Sequence, residues 1–401
     1  MRIGIIGQGY VGLTISAYAG NHYEVTGFDT NAKVVESLNK GTSHIEGVDS
    51  LSIAKLIAKG KYKATINPAD IKGSDIVVIA VPTPLDSSRK PDLSYIDSAC
   101  KVIGENLDSP ALIINESTSY PGTIRKYIKP AIEKYSKAKL GHEYAISPER
   151  VDPGRQDYNQ KNTPRLYAGL TPEATRRTRE FYATFCDHLV EVSSPEVAEA
   201  AKLFENTFRQ VNIALVNELA QISHALGIDV RETLDAANTK PYGFMKFTPS
   251  AGVGGHCIPV DPSYLAHLAL ENGVRATFIE RANEVNLEMP TYIAKRVASD
   301  NVGSLKGKKV LVVGVAYKPN VADTRETPAE LLIDALEKLG AVVTWHDPVV
   351  GSWNGKDSVG LGGVDIAVVV TKHDVLSAAD ILQSAPYVFD TTGKVKGAVQ
   401  I

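Results

Sequence analysis

The stretch RIGIIGQGYVGL, residues 2–13, decides the fold of the first part of this 401-residue chain. A short apolar run opens it and predicts a β-strand, and Gly7, Gly9 and Gly12 follow with the spacing GxGxxG. In this spacing the first glycine allows a tight turn, the second lets a pyrophosphate approach the backbone, and the third lets a helix pack closely on the strand. The spacing alone is a weak signal. Here a helical pattern, residues 11–19, follows it, and that is the context of a dinucleotide site.

An acidic residue after the next predicted strand extends this site. Residues 24–28 predict the strand, and Asp29 follows it, 17 residues after Gly12. A carboxylate there accepts hydrogen bonds from a ribose 2′-hydroxyl and repels a 2′-phosphate, so we expect NAD rather than NADP. Lys33 either contacts the adenosine side of the cofactor or is a solvated helix residue. The residues expected to hold the cofactor here are Gly7, Gly9, Tyr10, Val11, Gly12, Asp29 and Lys33.

Strand patterns alternate with helical patterns in the first half of the chain. Further strands are predicted at residues 75–80, 111–115 and 144–146, and such alternation indicates a parallel, doubly wound sheet. Ligands bind at the carboxyl ends of the strands in such sheets. Thr83 and Thr118 lie in loops that end two of these strands, so we expect them to contact the cofactor or the reacting carbon.

The pattern changes after residue 195 and later returns. Residues 196–226 and 261–298 predict long helices, and residues 308–314 then repeat the apolar pattern of the N-terminal strand without its GxGxxG turn. We therefore predict an α/β protein with two Rossmann-like doubly wound domains joined by a central α-helical domain. The predicted domains are 1–194, which binds NAD, 195–300, which is helical and forms a dimer, and 301–401, the second Rossmann-like domain, which lacks the dinucleotide turn and so fits a mononucleotide such as UDP.

Composition excludes several classes of protein. The net charge is −3 and the basic residues are scattered, so no nucleic-acid partner is expected. The three cysteines are far apart and lack a CxxC spacing, which argues against disulfides and zinc and favours a reducing, cytoplasmic compartment. The chain begins directly with a predicted strand, and its longest apolar run, residues 76–81, is too short to cross a membrane.

One cysteine has an unusual setting. The segment GGHCIPVDP, residues 254–262, places Cys257 just before a predicted helix. The amides and dipole at a helix N-terminus favour a thiolate, and a thiolate that attacks carbonyls is a covalent catalyst. A lone cysteine is more often a small buried apolar residue, so this interpretation depends on the rest of the chain.

A polar stripe on the first long helix supplies further reactive groups. Lys202, Asn206 and Arg209 are spaced to share one face of a helix, which is either solvated or part of a site. Glu149 and Arg150 follow another strand and add a carboxylate and a guanidinium, although Arg150 also suits a surface ion pair.

Together these segments resemble the nucleotide-sugar 6-dehydrogenases, the family of UDP-glucose dehydrogenase. The matching motifs, in order, are GQGYVGL at 7–13, VPTP at 81–84, ST at 117–118, SPE at 147–149, KLFEN at 202–206, GGHCIPVDP at 254–262 and GVAYKP at 314–319 through RE at 325–326. Within the family the chain is most similar to the branch that acts on UDP-N-acetylhexosamines. His256 stands where the UDP-glucose enzymes usually carry serine, and KPYGF at 240–244 favours UDP-N-acetylglucosamine over UDP-N-acetylmannosamine.

The resemblance implies a four-electron oxidation of the C6 hydroxymethyl group to a carboxylate with two NAD. Cys257 would capture the aldehyde as a thiohemiacetal, and the resulting thioester would be hydrolysed. Asp261, acting through water, is the implied base, with Lys202 as the alternative, and Lys202 and Asn206 would stabilise each oxyanion.

Other roles follow from the same resemblance. Thr118, Glu149 and Asp261 would position the hydrolytic water. The second glutamate of the UDP-glucose enzymes is replaced by Pro153, so Asp152 or Glu149 would have to activate that water. The residues expected to bind the UDP-sugar are Glu149, Arg150, Lys202, Asn206, Arg209, Gly255, Lys318 and Arg325. Arg325 would serve either the diphosphate or NAD.

Two other functions share part of this pattern. A two-electron β-hydroxyacid dehydrogenase would need neither Cys257 nor the C-terminal domain, and a non-catalytic regulator would have lost catalytic residues. UDP-glucose and UDP-N-acetylmannosamine remain alternative substrates. A homodimer or larger homo-oligomer is expected, because the long central helices must bury their apolar stripes.

Overall fold

The computed structural model describes residues 1–45, 47–151, 157–301 and 303–401. The chain divides into two compact units, Met1–Phe204 and Glu205–Ile401. Among the described residues, no helix combines the length and the apolar character that crossing a bilayer requires.

The first unit is built on an eight-stranded sheet with the order β3-β2-β1-β4-β5-β6-β7-β8. The strands are β1 (Arg2–Ile6), β2 (Glu24–Phe28), β3 (Tyr62–Thr65), β4 (Ile76–Ile79), β5 (Leu112–Asn115), β6 (Glu143–Ile146), β7 (Arg165–Gly169) and β8 (Leu189–Glu191). All neighbours are parallel except β6 and β7. The strand order reverses between β1 and β4, and this is where doubly wound sheets bind ligands.

Helices cover both faces of this sheet. They are α1 (Tyr10–Ala19), α2 (Ala32–Asn39), α3 (Ser50–Ala58), α4 (Ser94–Asn106), α5 (Lys129–Tyr135) and α6 (Pro172–Tyr182), with a 3-10 turn at Pro68–Ile71 and a π-helical turn at Ile124–Ile128. Ile76 and Val78 of β4 belong to the apolar core on one face, and Val77 and Ile79 belong to the core on the other. This alternation explains why the strand is apolar throughout.

The helical middle of the chain contains four helices. They are α7 (Pro195–Leu226), α8 (Val230–Asn238), α9 (Asp261–Glu271) and α10 (Thr277–Asp300). The prediction of a helix at 196–226 is confirmed by α7, but the prediction of one helical stretch at 261–298 is wrong. Gly273 ends α9 because it adopts φ +77, and the Val274 amide bonds back to the Ala269 carbonyl.

The C-terminal sheet has five parallel strands in the order β10-β9-β13-β14-β15. The strands are β9 (Lys309–Val313), β10 (Val342–His346), β13 (Ile366–Val369), β14 (Tyr387–Asp390) and β15 (Val399–Gln400), the hairpin strands are β11 (Ser352–Trp353) and β12 (Lys356–Asp357), and the helices are α11 (Pro328–Lys338) and α12 (Ala378–Gln383). Met289, Ile293 and Val297 of α10 share one apolar core with β9. This shared core explains why α10 and the C-terminal sheet lie in one unit.

The predicted fold class is confirmed, with two α/β domains on parallel sheets and a helical domain between them in the chain. The boundaries at 194/195 and 300/301 stay predictions.

Candidate active site

The turn between β1 and α1 has the geometry of a nucleotide-binding turn. Gly7 has φ +91, and a Cβ on Gly12 would overlap the Gly7 carbonyl oxygen, so both positions require glycine. A Cβ on Gly9 would meet nothing within 4 Å. Gly9 is also the N-cap of α1, and no side chain caps this helix. Open space beside uncapped helix amides fits the pyrophosphate of NAD.

Asp29 lies at the carboxyl end of β2, as predicted. Its Oδ2 accepts the Gln8 amide N–H at 2.8 Å and its Oδ1 accepts the Asn31 amide N–H at 2.8 Å. Each oxygen keeps acceptor capacity, which suits a ribose diol. Lys33 is exposed in the first turn of α2, and Tyr10 and Val11 are half-buried at the start of α1.

Gln8 is a fully buried residue of this turn that sequence reasoning missed. Its Nε2 donates to the Gly7 carbonyl at 2.9 Å, and its Oε1 accepts the hydroxyls of Ser16 and Tyr62 at 3.1 and 2.8 Å. These hydrogen bonds fix the conformation of the β1–α1 turn. The residue lies at a variable position of GxGxxG, so the motif carried no signal for it.

The two threonine loops are tied together by the residue before Thr118. Ser117 Oγ accepts the Val81 amide N–H at 2.9 Å and donates to the Val81 carbonyl at 2.8 Å. Thr83 is buried and Thr118 is half-buried. Ser117 therefore joins the ends of β4 and β5, where both threonines lie.

A buried charge cluster contains Glu116, Glu149 and Arg165. Arg165 is only 4% exposed, and its Nη1 and Nη2 lie 3.0 and 3.1 Å from carboxylate oxygens of Glu116 and Glu149. Its guanidinium also covers the Tyr182 ring, 4.5 Å from the centroid. Burial raises the pKa of Glu116 to about 7, although the Arg165 charge opposes the shift.

The same cluster engages Glu149. Its Oε1 accepts the amide N–H groups of Arg150 and Val151 at 2.6 Å each, and its Oε2 accepts the Gln160 side chain as well as Arg165. Its role in positioning water stays a prediction, and its observed role is to hold the turn after β6. Asp152, the other residue considered for that water, lies outside the described residues.

Arg150 is half-buried, and its Nη1 donates to the Pro164 carbonyl at 2.8 Å. The bond joins the turn after β6 to the segment before β7.

Helix α7 presents its polar stripe as predicted. Lys202 and Asn206 are half-buried and Arg209 is exposed. Within the second unit, the Asn206 Nδ2 donates to Asp261 Oδ2 at 2.5 Å. Asp261 is 1% exposed and opens α9. The structure therefore joins two of the predicted catalytic residues directly.

Cys257 lies in the turn that leads into the same helix. Its carbonyl oxygen accepts the amide N–H groups of Val260 and Asp261 at 3.2 and 2.8 Å. Cys257 is not part of a disulfide and is half-buried, whereas Cys100 and Cys186 are buried. Cys257, Asp261 and Asn206 thus form one constellation at the start of α9.

The two glycines before His256 are explained by the packing of the loop that carries them. Gly255 has φ +87, and a Cβ there would lie 2.8 Å from the Tyr317 ring, while one on Gly254 would lie 2.9 Å from the Glu326 carbonyl oxygen. The glycines therefore let the cysteine loop lie against residues 317–326.

The segment 317–326 holds two of the residues expected to bind the UDP-sugar, Lys318 and Arg325. The Gly255 amide N–H donates to the Arg325 carbonyl at 2.9 Å. The Arg325 side chain is paired with Asp323, with Nη2 to Oδ2 at 2.5 Å. Lys318 is half-buried on the same segment. Burial, together with the charge of Arg325, lowers the pKa of His256 and so favours a neutral ring beside Cys257.

Comparison with known families agrees with this geometry. Three parts of the UDP-glucose/GDP-mannose dehydrogenase family match the chain, namely the NAD binding domain at residues 1–186, the central domain at 196–288 and the UDP binding domain at 311–397. The chain is 35% identical over 381 residues to the UDP-N-acetyl-D-mannosamine dehydrogenase of Pyrococcus horikoshii, covering 93% of this chain and 90% of the relative.

Two further comparisons support the same family. The UDP-N-acetyl-D-glucosamine 6-dehydrogenase of Pseudomonas aeruginosa is 33% identical over 369 residues, which are 90% of this chain and 86% of the relative. A solved structure of UDP-D-ManNAc dehydrogenase from Pyrococcus horikoshii superposes with a TM-score of 0.88 at 32% identity, covering 100% of this chain and 98% of that one. The chain therefore belongs to the UDP-glucose/GDP-mannose dehydrogenase family and is an NAD-dependent nucleotide-sugar dehydrogenase.

Proposed function

We propose that the protein oxidises the C6 hydroxymethyl group of UDP-N-acetylglucosamine to a carboxylate. The observation that carries this proposal is the constellation of Cys257, Asp261 and Asn206 at the start of α9. A two-electron dehydrogenase has no need of a half-buried cysteine thiol in that place, whereas a four-electron enzyme must hold its aldehyde until the second oxidation.

The β1–α1 turn would hold NAD, which would accept the two electrons of each oxidation. The chain's own residues handle the carbon centre. The Cys257 sulfur adds to the aldehyde carbon and the carbonyl oxygen takes up a proton, which gives a thiohemiacetal. Loss of two electrons and two protons converts it to a thioester. Water then breaks the C–S bond, which releases the carboxylate and restores the thiol.

Asp261 is the proposed proton acceptor for the C6 hydroxyl group, acting through water, with Lys202 as the alternative. The Asn206 amide fixes one carboxylate oxygen of Asp261, so the carboxylate cannot rotate freely. Lys202 and the second proton of the Asn206 amide supply donors for the oxyanion of each tetrahedral species. Thr118 and Glu149 are proposed to position the hydrolytic water.

Cationic groups of the second unit suit the UDP diphosphate. Lys318, Arg325 and Arg209 are the proposed diphosphate ligands, because anionic oxygens favour charge-assisted donors. Arg325 already pairs with Asp323, so it would have to share its donors between that carboxylate and the ligand. Arg150 and the Gly255 backbone are proposed to contact the sugar or the diphosphate.

The choice of sugar rests on the motif KPYGF at 240–244. The relatives carry names with both N-acetylhexosamines, so UDP-N-acetylmannosamine is the second candidate. We also propose a cytoplasmic location, because the thiol of Cys257 must stay reduced to react.

The test is the stoichiometry of NADH formed from limiting UDP-N-acetylglucosamine, UDP-N-acetylmannosamine and UDP-glucose, each with excess NAD. Two NADH per UDP-N-acetylglucosamine, with little turnover of the other two sugars, would support the proposal. A preference for another sugar would overturn the substrate and keep the chemistry. Full four-electron turnover by the Cys257→Ser variant would overturn the thioester route.

A further inference from the structure

Glu199 is a buried carboxylate in the first unit that no step above uses. It lies on α7 and is 1% exposed. Its oxygens accept the Gly122 amide N–H at 2.6 Å, the Ile124 amide N–H at 3.2 Å and the Ser119 hydroxyl at 3.1 Å. Burying a carboxylate is unfavourable unless it is well hydrogen-bonded. A buried carboxylate that accepts three hydrogen bonds from residues 119–124 therefore indicates a specific role.

Two of these donors, Ser119 and Gly122, belong to the loop that carries Thr118, and the third, Ile124, opens the π-helical turn that follows this loop. Asn115, at the end of β5, donates from its Nδ2 to the Ser117 carbonyl at 3.1 Å and to the Ser119 Oγ at 3.2 Å. Ser117 is in turn fixed to Val81. Thr118 is therefore flanked on both sides by residues whose positions are set, and Glu199 fixes the side that leads away from the strand.

The other end of the contact is the helix that carries Lys202. Lys202 follows Glu199 by three residues, so the two lie on neighbouring positions of one helical face, about 4.5 Å apart along the axis at 1.5 Å per residue. A helix transmits position over one turn with little freedom. If the Thr118 loop moved away from Glu199, it would therefore also move relative to Lys202.

We propose that Glu199 is a positioning residue, whose carboxylate ties the loop of Thr118 to the turn of α7 that carries Lys202. This inference rests on the proposed roles of Thr118 and Lys202. The ionised carboxylate accepts all three donors, whereas the protonated acid replaces one acceptor site with an O–H donor. The tie is therefore complete only when Glu199 is ionised.

The charges around Glu199 come from its own helix and from the segment that follows the loop. Glu196, on α7, pairs with Arg125 at 2.7 Å, and Lys126 packs against Gly122. Burial raises the pKa of Glu199 to about 7, although the hydrogen bonds from Gly122, Ile124 and Ser119 oppose the shift. The tie should then weaken as the pH falls below about 7.

The experiment compares Glu199→Gln with Glu196→Gln as the matched control. Both variants remove one carboxylate from the same turn of α7, but only Glu199 contacts the loop. NADH formation is followed with whichever UDP-sugar the wild-type protein oxidises, so a wrong sugar assignment does not affect the result. The measured quantities are kcat, KM for the sugar and for NAD, the pH profile of kcat between pH 6 and 9, and Tm.

We expect Glu199→Gln to lower kcat about tenfold or more, since small misplacements of reacting groups are costly, while KM for the UDP-sugar changes little. The decline of kcat below about pH 7 should also move or vanish. Ser119→Ala removes one donor and should lower kcat less, which keeps the test decisive if Glu199→Gln folds poorly. A wild-type kcat and pH profile in Glu199→Gln, an equal loss in Glu196→Gln, or a lower Tm with kcat unchanged would overturn the inference.

Discussion

At the scale of single residues, burial separates the three cysteines. Burial raises the pKa of Cys100 to about 12 and that of Cys186 to about 11, so neither forms a thiolate at neutral pH. Cys257 is the cysteine with a partly exposed side chain, and it lies in the turn before α9. The reactivity of the protein toward electrophiles should therefore belong to one residue.

Native protein treated with iodoacetamide at pH 8 should accordingly carry one modification, at Cys257, and activity should fall in step with it. Peptide mapping by mass spectrometry measures the site. The Cys257→Ser variant is the control and should stay unmodified until it is unfolded. Modification of Cys100 or Cys186 in the folded wild-type protein would contradict this assignment.

The glycines of the β1–α1 turn act at the scale of an element. A methyl group on Gly12 would overlap the Gly7 carbonyl oxygen, while a methyl on Gly9 would occupy open space. Gly9 has φ −71, which alanine adopts without strain. Gly12 is therefore required by the fold, and we propose that Gly9 is required by the cofactor.

Gly9→Ala should fold with an unchanged Tm and raise KM for NAD about tenfold or more, because its methyl group fills the space for the pyrophosphate. Gly12→Ala should lower Tm markedly, since helix and strand can no longer approach. Calorimetry and NAD titration of the two variants measure both effects. An unaltered affinity for NAD in Gly9→Ala would show that the pyrophosphate lies elsewhere.

The ends of β5, β6 and β7 share the charge cluster around Arg165, and this cluster should make stability depend on pH. Burial raises the pKa of Glu116 from 4.5 to about 7. Between these values the unfolded chain binds fewer protons than the folded chain, so the free energy of unfolding should fall as the pH rises from about 4.5 to about 7.

Glu116→Gln removes this titration, so its Tm should change less over that pH range than the Tm of the wild-type protein. Scanning calorimetry in half-unit pH steps measures the difference. Glu173→Gln is a suitable control because Glu173 is exposed and paired with Arg176 on the surface. Parallel curves of Tm against pH for Glu116→Gln and the wild-type protein would contradict the expected titration.

At the scale of the whole molecule, the sequence predicted the strands and turns that have local patterns. It missed the contacts between residues that lie far apart in the chain. The strand at 308–314 and the GxGxxG turn are local patterns, and both elements lie where they were expected. Arg165 is different, because an arginine at the start of a strand is ordinarily exposed, and only the meeting of three strand ends buries it. The contact of Gly255 with Tyr317 likewise joins segments that no local pattern connects.

The exposed residues of helix α7 support the expected homodimer. The large apolar residues Phe208, Leu215 and Ile222 of α7 are 42%, 64% and 47% exposed. They recur every seven residues, which is about two helical turns, so they lie on one face of the helix and form an apolar stripe. Large exposed apolar side chains aligned on one face of a helix are typical of an interaction surface. Because the stripe belongs to a single helix, a second copy can present the same stripe to it in a twofold arrangement.

We therefore predict a homodimer in which α7 meets its counterpart, and Leu215→Arg should dissociate it, because two arginines would meet near the twofold axis without a partner. Sedimentation equilibrium should give twice the mass of one chain for the wild-type protein and the mass of one chain for the variant. Leu331→Arg is the control, since Leu331 is similarly exposed on α11 and should leave the dimer intact. A monomeric wild-type protein, or a dimer that survives Leu215→Arg, would place the subunit contact on another surface and leave the stripe of α7 unexplained.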